Sequence, residues 1–230
     1  MPWSFISDLI FLFFPALCNA CRKGLRRGEE VVCIDCRYRL PKTGYVPGAG
    51  NVVEKLFRGR TQVLAATAFY EYRKGGRVQK LVHALKYHGR EEVADFAGRK
   101  MAEEWSKYLS FMPDVVVAVP MHSFRERQRG YNQAALIAQV FAEQLQVPFD
   151  RHSLIRVSTG ASQTSKTRFD RYASLDGRFA VIHPENLEGK KVLLIDDVIT
   201  TGATTIACLE SMRQLTGVSL MVSAFAITRR

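Results

Sequence analysis

The chain has 230 residues, of which 47% are hydrophobic, so it can bury a substantial core as one large domain or as a domain plus a small module. Lysine and arginine number 33 against 22 acidic residues, and the net charge of +11 favours a polyanionic partner: a pyrophosphate, a nucleic acid or an anionic membrane surface. Ordinary solubilising charge is the alternative. Four of the five cysteines fall within Cys18–Cys36, which argues against a disulfide framework distributed along the chain.

An apolar stretch, Trp3–Leu17, precedes the cysteines. It is too short for an ordinary transmembrane helix and is interrupted by Asp8 and Pro15. It also lacks the basic start and the small-residue cleavage site of a signal peptide. Its apolar residues have helical spacing and predict a short amphipathic helix: Ile6, Leu9, Ile10, Phe13 and Phe14. Docking onto the core of a cytoplasmic protein is the favoured role, and peripheral contact with the inner membrane is the alternative.

Two C-x₂-C pairs follow, Cys18/Cys21 and Cys33/Cys36, separated by eleven residues. Each pair presents two sulfurs from one tight turn, and tetrahedral zinc needs four such ligands, so the spacing predicts a four-thiolate Zn²⁺ site. A redox motif of the thioredoxin type would need only one pair. Cations surround the pairs and could contact phosphates without reading sequence: Arg22, Lys23, Arg26, Arg27, Arg37, Arg39 and Lys42. A structural metal clip with a solvated basic face is an equally good interpretation.

The segment Pro41–Asn51 is rich in proline and glycine and predicts a linker. We therefore expect an N-terminal module over residues 1–45, containing the amphipathic segment and the cysteines. A second domain is expected over residues 46–230.

Strands and helices are predicted to alternate in the second domain, which is typical of an α/β fold. The strands are predicted within 61–72, 114–119, 179–182, 192–195 and 218–227. The helices are predicted around 78–85, 93–110, 132–145 and 206–215. Cys208 lies in the last helix and is predicted to be an inert core residue.

Two basic segments accompany these elements. Met121–Tyr131 is predicted to form a loop after the second strand and carries Arg125, Arg127 and Arg129, whose planar guanidinium groups suit a diphosphate. Residues 156–178 are polar, rich in small residues and basic, which predicts a lid over a crevice. A solvated loop and a disordered segment are the respective alternatives.

The stretch from Val192 to Thr204 is the most informative. Four apolar residues predict a buried parallel strand, and Asp196-Asp197 follows it. Adjacent carboxylates are costly in a core but suit the crevice at the carboxyl ends of such strands. Thr200, Thr201, Gly202 and Thr204 then offer hydroxyl and N–H groups at a helix start, where a phosphate is favoured. Together they predict a sugar phosphate site, and a strand–turn–helix without a ligand is the alternative.

This stretch resembles the phosphoribosyl pyrophosphate (PRPP) motif of type I phosphoribosyltransferases. With the paired cysteine knuckles and three further motifs, the whole chain resembles the ComF family. The further motifs are Leu85-Lys-Tyr87, Arg129-Gly-Tyr-Asn-Gln133 and Thr159…Gln163…Arg171. The resemblance implies a type I phosphoribosyltransferase-like α/β fold. Its features would be a mainly parallel sheet, helices on both faces, and a small N-terminal zinc-ribbon-like module.

The resemblance also implies roles for residues of this chain. Asp196 and Asp197 would hold the ribose hydroxyls, and would be the catalytic carboxylates of any reaction, with Mg²⁺ bound mainly through PRPP. The turn Thr200, Thr201, Gly202, Ala203 and Thr204 would cradle the 5′-phosphate. Arg125, Arg127 and Arg129 would lie near the pyrophosphate, and Lys166 or Arg168 would close over it. Pro120-Met-His122 departs from the Pro-x-Pro of the family.

The implied function is cytoplasmic handling of single-stranded DNA during natural transformation (competence), alongside proteins of the DNA-uptake machinery. A metabolic phosphoribosyltransferase with a purely structural zinc module is the alternative. The resemblance leaves catalysis and the acceptor open.

Overall fold

A five-stranded parallel sheet organises the part of the chain that the computed structural model describes, which is residues 16–157, 174 and 178–228. Its strands are β1 (Ala65–Tyr72), β2 (Val115–Ala118), β3 (Phe149–Asp150), β6 (Lys191–Ile199) and β7 (Ser219–Thr228). Their order across the sheet is β1-β7-β6-β2-β3, and each neighbouring pair is parallel. The helical part of the predicted amphipathic segment (residues 6–14), most of the predicted lid, and Lys166 lie outside the described residues.

Among the described residues, a second sheet consists of two antiparallel strands that form no ladder with the main sheet. It pairs β4 (Leu154–Arg156) with β5 (Phe179–Val181), which contains most of the strand predicted at 179–182.

The helices of the described residues connect these strands. They are α1 (Ile34–Arg39), α2 (Val52–Phe57), α3 (Arg77–Tyr87), α4 (Glu92–Trp105), α5 (Ser123–Arg129), α6 (Gln133–Leu145) and α7 (Ala203–Met212), with short 3₁₀ turns at Leu109–Phe111 and Pro184–Asn186.

Both faces of the sheet are covered, as the apolar strand at Val192–Ile195 predicts. Leu193 and Ile195 pack on one face with residues of α3, α4 and α6, whereas Val192 and Leu194 pack on the other with residues of α2 and α7. This alternation follows from the two-residue period of a strand. The predicted α/β fold with helices on both faces of a parallel sheet is confirmed.

The segment Met121–Tyr131 differs from its prediction because it contains helix α5. His122 begins the helix, and its Nδ1 accepts a hydrogen bond from the Phe124 N–H at 3.2 Å. Glycine in the left-handed conformation ends it at Gly130 (φ 85°). The residues between are mostly exposed and charged, so no apolar periodicity marks the helix in the sequence.

Strand β6 is also longer than predicted, since it continues from Ile195 to Ile199. The reason is β7, which runs beside it as far as the pair Ile199–Ile227. The two aspartates therefore lie within the carboxyl-terminal half of a strand rather than after it.

The N-terminal cysteine segment shares its core with the rest of the fold. Leu25, Val32 and Leu40 are buried in the same hydrophobic cluster as Tyr70 and residues of α4. The predicted linker then runs along the outer edge of β1. There the Thr43 N–H donates to the Phe69 carbonyl at 3.0 Å, and the Glu71 N–H donates to the Pro41 carbonyl at 2.8 Å.

Candidate functional site

The two carboxylates of β6 point to opposite faces of the sheet, as neighbouring residues of a strand must. The buried Asp196 faces α7, where the Thr205 hydroxyl donates to its Oδ2 at 3.3 Å. Asp197 faces α3 and forms an ion pair with Lys86. The Asp197 N–H donates to Asp196 Oδ1 at 2.8 Å and links the two carboxylates. The pair is held in place by elements on both sides of the sheet.

The Asp196 carboxyl group has a raised pKa. Burial, and after it the charge of Asp197, raises the pKa of Asp196 to about 7, although Lys86 and the Asp197 N–H act in the opposite direction. Hydrogen-bond donors from a ligand would favour the ionised form of Asp196.

The predicted phosphate turn follows directly. Gly202 adopts the left-handed conformation (φ 77°), and α7 begins at the next residue, Ala203. The Ala203 N–H donates to the Thr201 hydroxyl at 3.3 Å, and Thr200 and Thr201 are exposed. The turn is tied to β7, because the Thr228 hydroxyl donates to the Thr200 carbonyl at 3.4 Å. Exposed hydroxyl groups and a helix amino terminus are thus presented beside the carboxylates, which is suitable chemistry for an anion.

Lys86 is a site residue that sequence reasoning missed. It lies within the Leu85-Lys-Tyr87 motif, which was the available signal, but its contact with Asp197 depends on how α3 packs against β6. The carboxylates therefore have a neighbouring cation that is part of the fold.

Two of the family-like motifs contact each other directly. The Tyr131 hydroxyl donates to the Leu85 carbonyl at 2.5 Å, and the Arg129 guanidinium carbon lies 5.1 Å from the centre of the Tyr87 ring. Arg129 also donates to Gln133 Oε1 at 3.0 Å. These contacts anchor the carboxyl end of α5 to the helix that carries the Asp197 partner.

The cysteines form a second centre, in which the four Sγ atoms of Cys18, Cys21, Cys33 and Cys36 lie within 4.8 Å of one another. All four are free thiols, and the Cys21 and Cys33 sulfurs are 3.7 Å apart. A tetrahedral zinc site with Zn–S bonds of about 2.3 Å has sulfur–sulfur edges of about 3.8 Å, so the donor set fits such a metal.

The electrostatics of this cluster also suit a cation. Burial raises the pKa of Cys18, but N–H groups of Cys33, Cys21 and Ala20 outweigh it and bring the pKa to about 7. Burial, followed by the neighbouring thiols, raises the pKa of Cys36. Four buried or half-buried thiolates without a cation would repel one another, and a divalent metal would remove that repulsion.

Comparisons with known proteins identify the family. Residues 89–223 match the phosphoribosyl transferase domain. The DNA utilization protein YhgH of Salmonella typhimurium is 34% identical over 211 residues, covering 84% of this chain and 88% of the relative. The competence protein ComFC of Bacillus subtilis is 28% identical over 219 residues, covering 89% of this chain and 87% of ComFC. The chain belongs to the ComF family.

A solved structure, the glutamine PRPP amidotransferase of B. subtilis with ADP and GMP, gives a TM-score of 0.42 at 17% identity. The match covers 62% of this chain and 30% of the amidotransferase.

The remaining site predictions for this ComF protein divide into two groups. One strand–turn–helix unit carries Asp196, Asp197 and the turn from Thr200 to Thr204. Arg129 contacts Tyr87, which follows Lys86 in the sequence. Arg125 and Arg127 are exposed on α5, and within the described ranges no hydrogen bond or ion pair joins them to the carboxylates. Their role, like that of Lys166, stays a prediction.

A cavity of about 220 Å³ lies at the carboxyl end of β2 in this ComF protein. Ala118, at the end of β2, lines it and pairs in register with Ile195, the residue before Asp196. Asn132 and Arg156 also line the cavity, whereas Asp196 and Asp197 do not.

The described helices include none that is both long and apolar enough to cross a membrane.

Proposed function

We propose that this ComF-family protein binds PRPP, or a related ribose phosphate, together with Mg²⁺ at the β6–α7 unit. The observation that carries the proposal is the arrangement of Asp196 and Asp197 directly before the Gly202 turn. Carboxylates accept hydrogen bonds from ribose hydroxyls, and the turn offers the amino end of α7 to a phosphate. Mg²⁺ would supply charge neutralisation for the pyrophosphate and would be bound mainly through PRPP.

The residues would act by holding and orienting the ligand. Asp196 would accept hydrogen bonds from the ribose in its ionised form, and the N–H of Asp197 would keep its Oδ1 in place. Lys86 would keep Asp197 oriented. If the protein transfers a ribosyl group, these carboxylates would also stabilise the positive charge that develops on the ribose.

Calorimetry tests this site. Asp196→Asn/Asp197→Asn should abolish measurable PRPP–Mg²⁺ binding, because both acceptors lose their charge. Asp95→Asn/Glu103→Gln removes the same charge from an exposed face of α4 and should bind like the wild type. Unchanged affinity in the first variant would refute the site.

We further propose that the cellular role is the cytoplasmic handling of single-stranded DNA during natural transformation, in contact with proteins of DNA uptake. The names of the relatives, DNA utilization protein and competence protein, support this role. The zinc module, residues 1–45, would contribute a basic surface to a separate domain at 46–230. Its cations Arg22, Lys23, Arg26 and Arg27 are exposed, and Tyr38 is 82% exposed and could stack on a base.

A deletion strain tests the cellular role. Transformation frequency should be restored by the wild type and not by the Asp196→Asn/Asp197→Asn variant, with Asp95→Asn/Glu103→Gln as the control. If the Asp196→Asn/Asp197→Asn variant restored transformation fully, the cellular role would not depend on the ribose phosphate site.

A metabolic phosphoribosyltransferase is the second candidate function, and one observation favours it. The 220 Å³ cavity at the carboxyl end of β2 could hold a small acceptor, because Ala118, which lines it, pairs in register with the residue before Asp196. Pyrophosphate release from PRPP in the presence of candidate nucleobases measures this activity.

A further inference from the structure

A larger cavity lies at the opposite end of the sheet from the carboxylates. Its volume is about 710 Å³, and Leu64 and Ser219, at the amino ends of β1 and β7, help to line it. An adjoining cavity of about 460 Å³ shares Thr61 and Arg213 with it. The ten residues of β7 span about 30 Å between this region and the Gly202 turn, so the two regions cannot hold one small ligand.

The walls of these cavities carry an excess of positive charge. Arg58 and Arg213 line the larger cavity, and Arg60 and Arg213 line the smaller one. No ion pair within the described part of the chain engages any of the three guanidinium groups. The acid in the wall, Glu54, is already engaged, since its carboxylate accepts hydrogen bonds from four backbone N–H groups, those of Gly48, Gly50, Asn51 and Ala66. Three cations against one engaged carboxylate leave a net charge of +2.

A buried polar group without a described partner also lies in the wall of these cavities. The Thr61 hydroxyl has no hydrogen-bond partner among the described residues, although Thr61 is only 7% exposed and lines both cavities. Buried hydroxyls nearly always have a partner, because an unmade hydrogen bond costs about 1–3 kcal/mol. Because Thr61 lines both cavities, rotation of its side chain would bring the hydroxyl to a ligand there, which would supply the missing partner.

We propose that these cavities form a second anion site, built by Arg58, Arg60, Thr61 and Arg213, that binds a phosphate group. Arginine is suited to this task because its planar fork donates two hydrogen bonds to phosphate oxygens. A free nucleotide and the backbone of a nucleic acid strand present the same group. A volume of several hundred Å³ is sufficient for a mononucleotide.

Binding measurements on the full-length protein test the site, with dAMP, inorganic pyrophosphate and a single-stranded dT oligonucleotide as probes in the absence of Mg²⁺. Arg58→Gln/Arg60→Gln/Arg213→Gln should weaken binding of at least one probe tenfold or more. The control Lys55→Gln/Lys74→Gln/Lys80→Gln removes the same charge from exposed positions outside the cavity and should change affinity less than threefold. Loss for dAMP and pyrophosphate alone identifies a free nucleotide as the ligand, and loss for the oligonucleotide alone identifies a strand.

A second variant tests the hydroxyl. Thr61→Val keeps the shape and the charges and should weaken the same probe about threefold to tenfold. Equal affinity of all probes for wild type and the arginine variant, or equal losses in the arginine variant and the lysine control, would overturn the proposal. The PRPP–Mg²⁺ titration of the same arginine variant reports on the carboxylate site separately, so the two sites can fail independently.

Discussion

At the scale of single residues, the site depends on a carboxylate pair whose members have different partners. Asp197 has the cation of Lys86, whereas Asp196 has the Thr205 hydroxyl and a backbone N–H. The sequence alone predicts the adjacency of the two acids but cannot predict this division. It arises because the strand turns successive side chains toward different helices, and the partner helix α3 lies far away in the sequence.

Lys86→Gln should lower the free energy of unfolding by about 2 kcal/mol, because it leaves a largely buried carboxylate without its charged partner. The side chains of Lys86 and Asp197 are 23% and 14% exposed, so solvent compensates only in part. Urea denaturation at pH 8 measures the effect. Lys107→Gln breaks the exposed pair with Glu104 and should cost less than about 0.5 kcal/mol. Equal losses in the two variants would contradict the prediction.

The raised pKa of Asp196 predicts a pH dependence of stability in the absence of ligand. The ordinary value is 3.8 and the folded value is about 7, so the folded protein holds the proton more tightly than the unfolded chain. This contribution to stability is complete below about pH 4 and is lost as the pH rises to about 7, by at most about 4 kcal/mol. Asp196→Asn should remove this slope in denaturation curves recorded between pH 4 and 7.

Asp150 provides a control, because its pKa is lowered whereas that of Asp196 is raised. Burial would raise the pKa of Asp150, but the Ser153 hydroxyl and backbone N–H groups lower it overall. Its contribution is lost as the pH falls below about 4, so Asp150→Asn should leave the slope between pH 4 and 7 unchanged. The raised pKa of Asp196 would be contradicted if the stability of the wild type rose with pH across that range and Asp196→Asn had the same slope.

At the scale of elements, the strand–turn–helix unit is the best predicted part of the molecule and α5 is the worst. The apolar run of β6 and the threonine-rich turn carry their structure in local sequence, since buried strands and helix starts have characteristic compositions. The seven residues of α5 are nearly all polar and have no such pattern. Its place is fixed instead by tertiary contacts, namely those of Arg129 with Tyr87 and of Tyr131 with Leu85.

Gly202→Ala should destabilise the turn by about 1–2 kcal/mol, because an L-residue is disfavoured at positive φ. A methyl group there would meet nothing closer than 3.8 Å, so the cost comes from the backbone and not from a clash. Thermal unfolding and PRPP–Mg²⁺ calorimetry should both show the loss. Gly202→Asn should lose less, since asparagine tolerates this conformation better. Equal behaviour of both variants and the wild type would show that the turn tolerates any residue.

At the scale of the whole molecule, the cysteine segment and the sheet share one hydrophobic cluster, which composition could not predict. The Pro- and Gly-rich stretch after the cysteines predicts a linker because such residues favour irregular backbone. The structure adds that this irregular backbone is hydrogen-bonded to β1. The boundary between the two predicted domains therefore remains a hypothesis about independent folding.

Removal of a metal ion bound by the four cysteines should loosen more than the cysteine segment. Cys36→Ser, or chelation with metal loss verified by elemental analysis, should raise amide exchange in residues 18–40 and also in β1, because their side chains pack together. Cys208→Ser changes a buried cysteine of α7 outside the cluster and should keep one metal per chain. If amide exchange stayed the same throughout the chain after verified metal loss, the fold around the cysteine cluster would not depend on a metal ion.

The hydrogen bonds between residues 41–51 and β1 have a consequence for self-association. β1 is the edge strand of the sheet, and it is eight residues long and mostly buried. An uncovered edge of this kind pairs readily with another chain. Here Thr43, Tyr45 and Asn51 occupy its outward-facing polar groups. A chain that begins at residue 52 is expected to expose that edge to its own copies, so the segment between the cysteine cluster and β1 is predicted to protect the protein from aggregation.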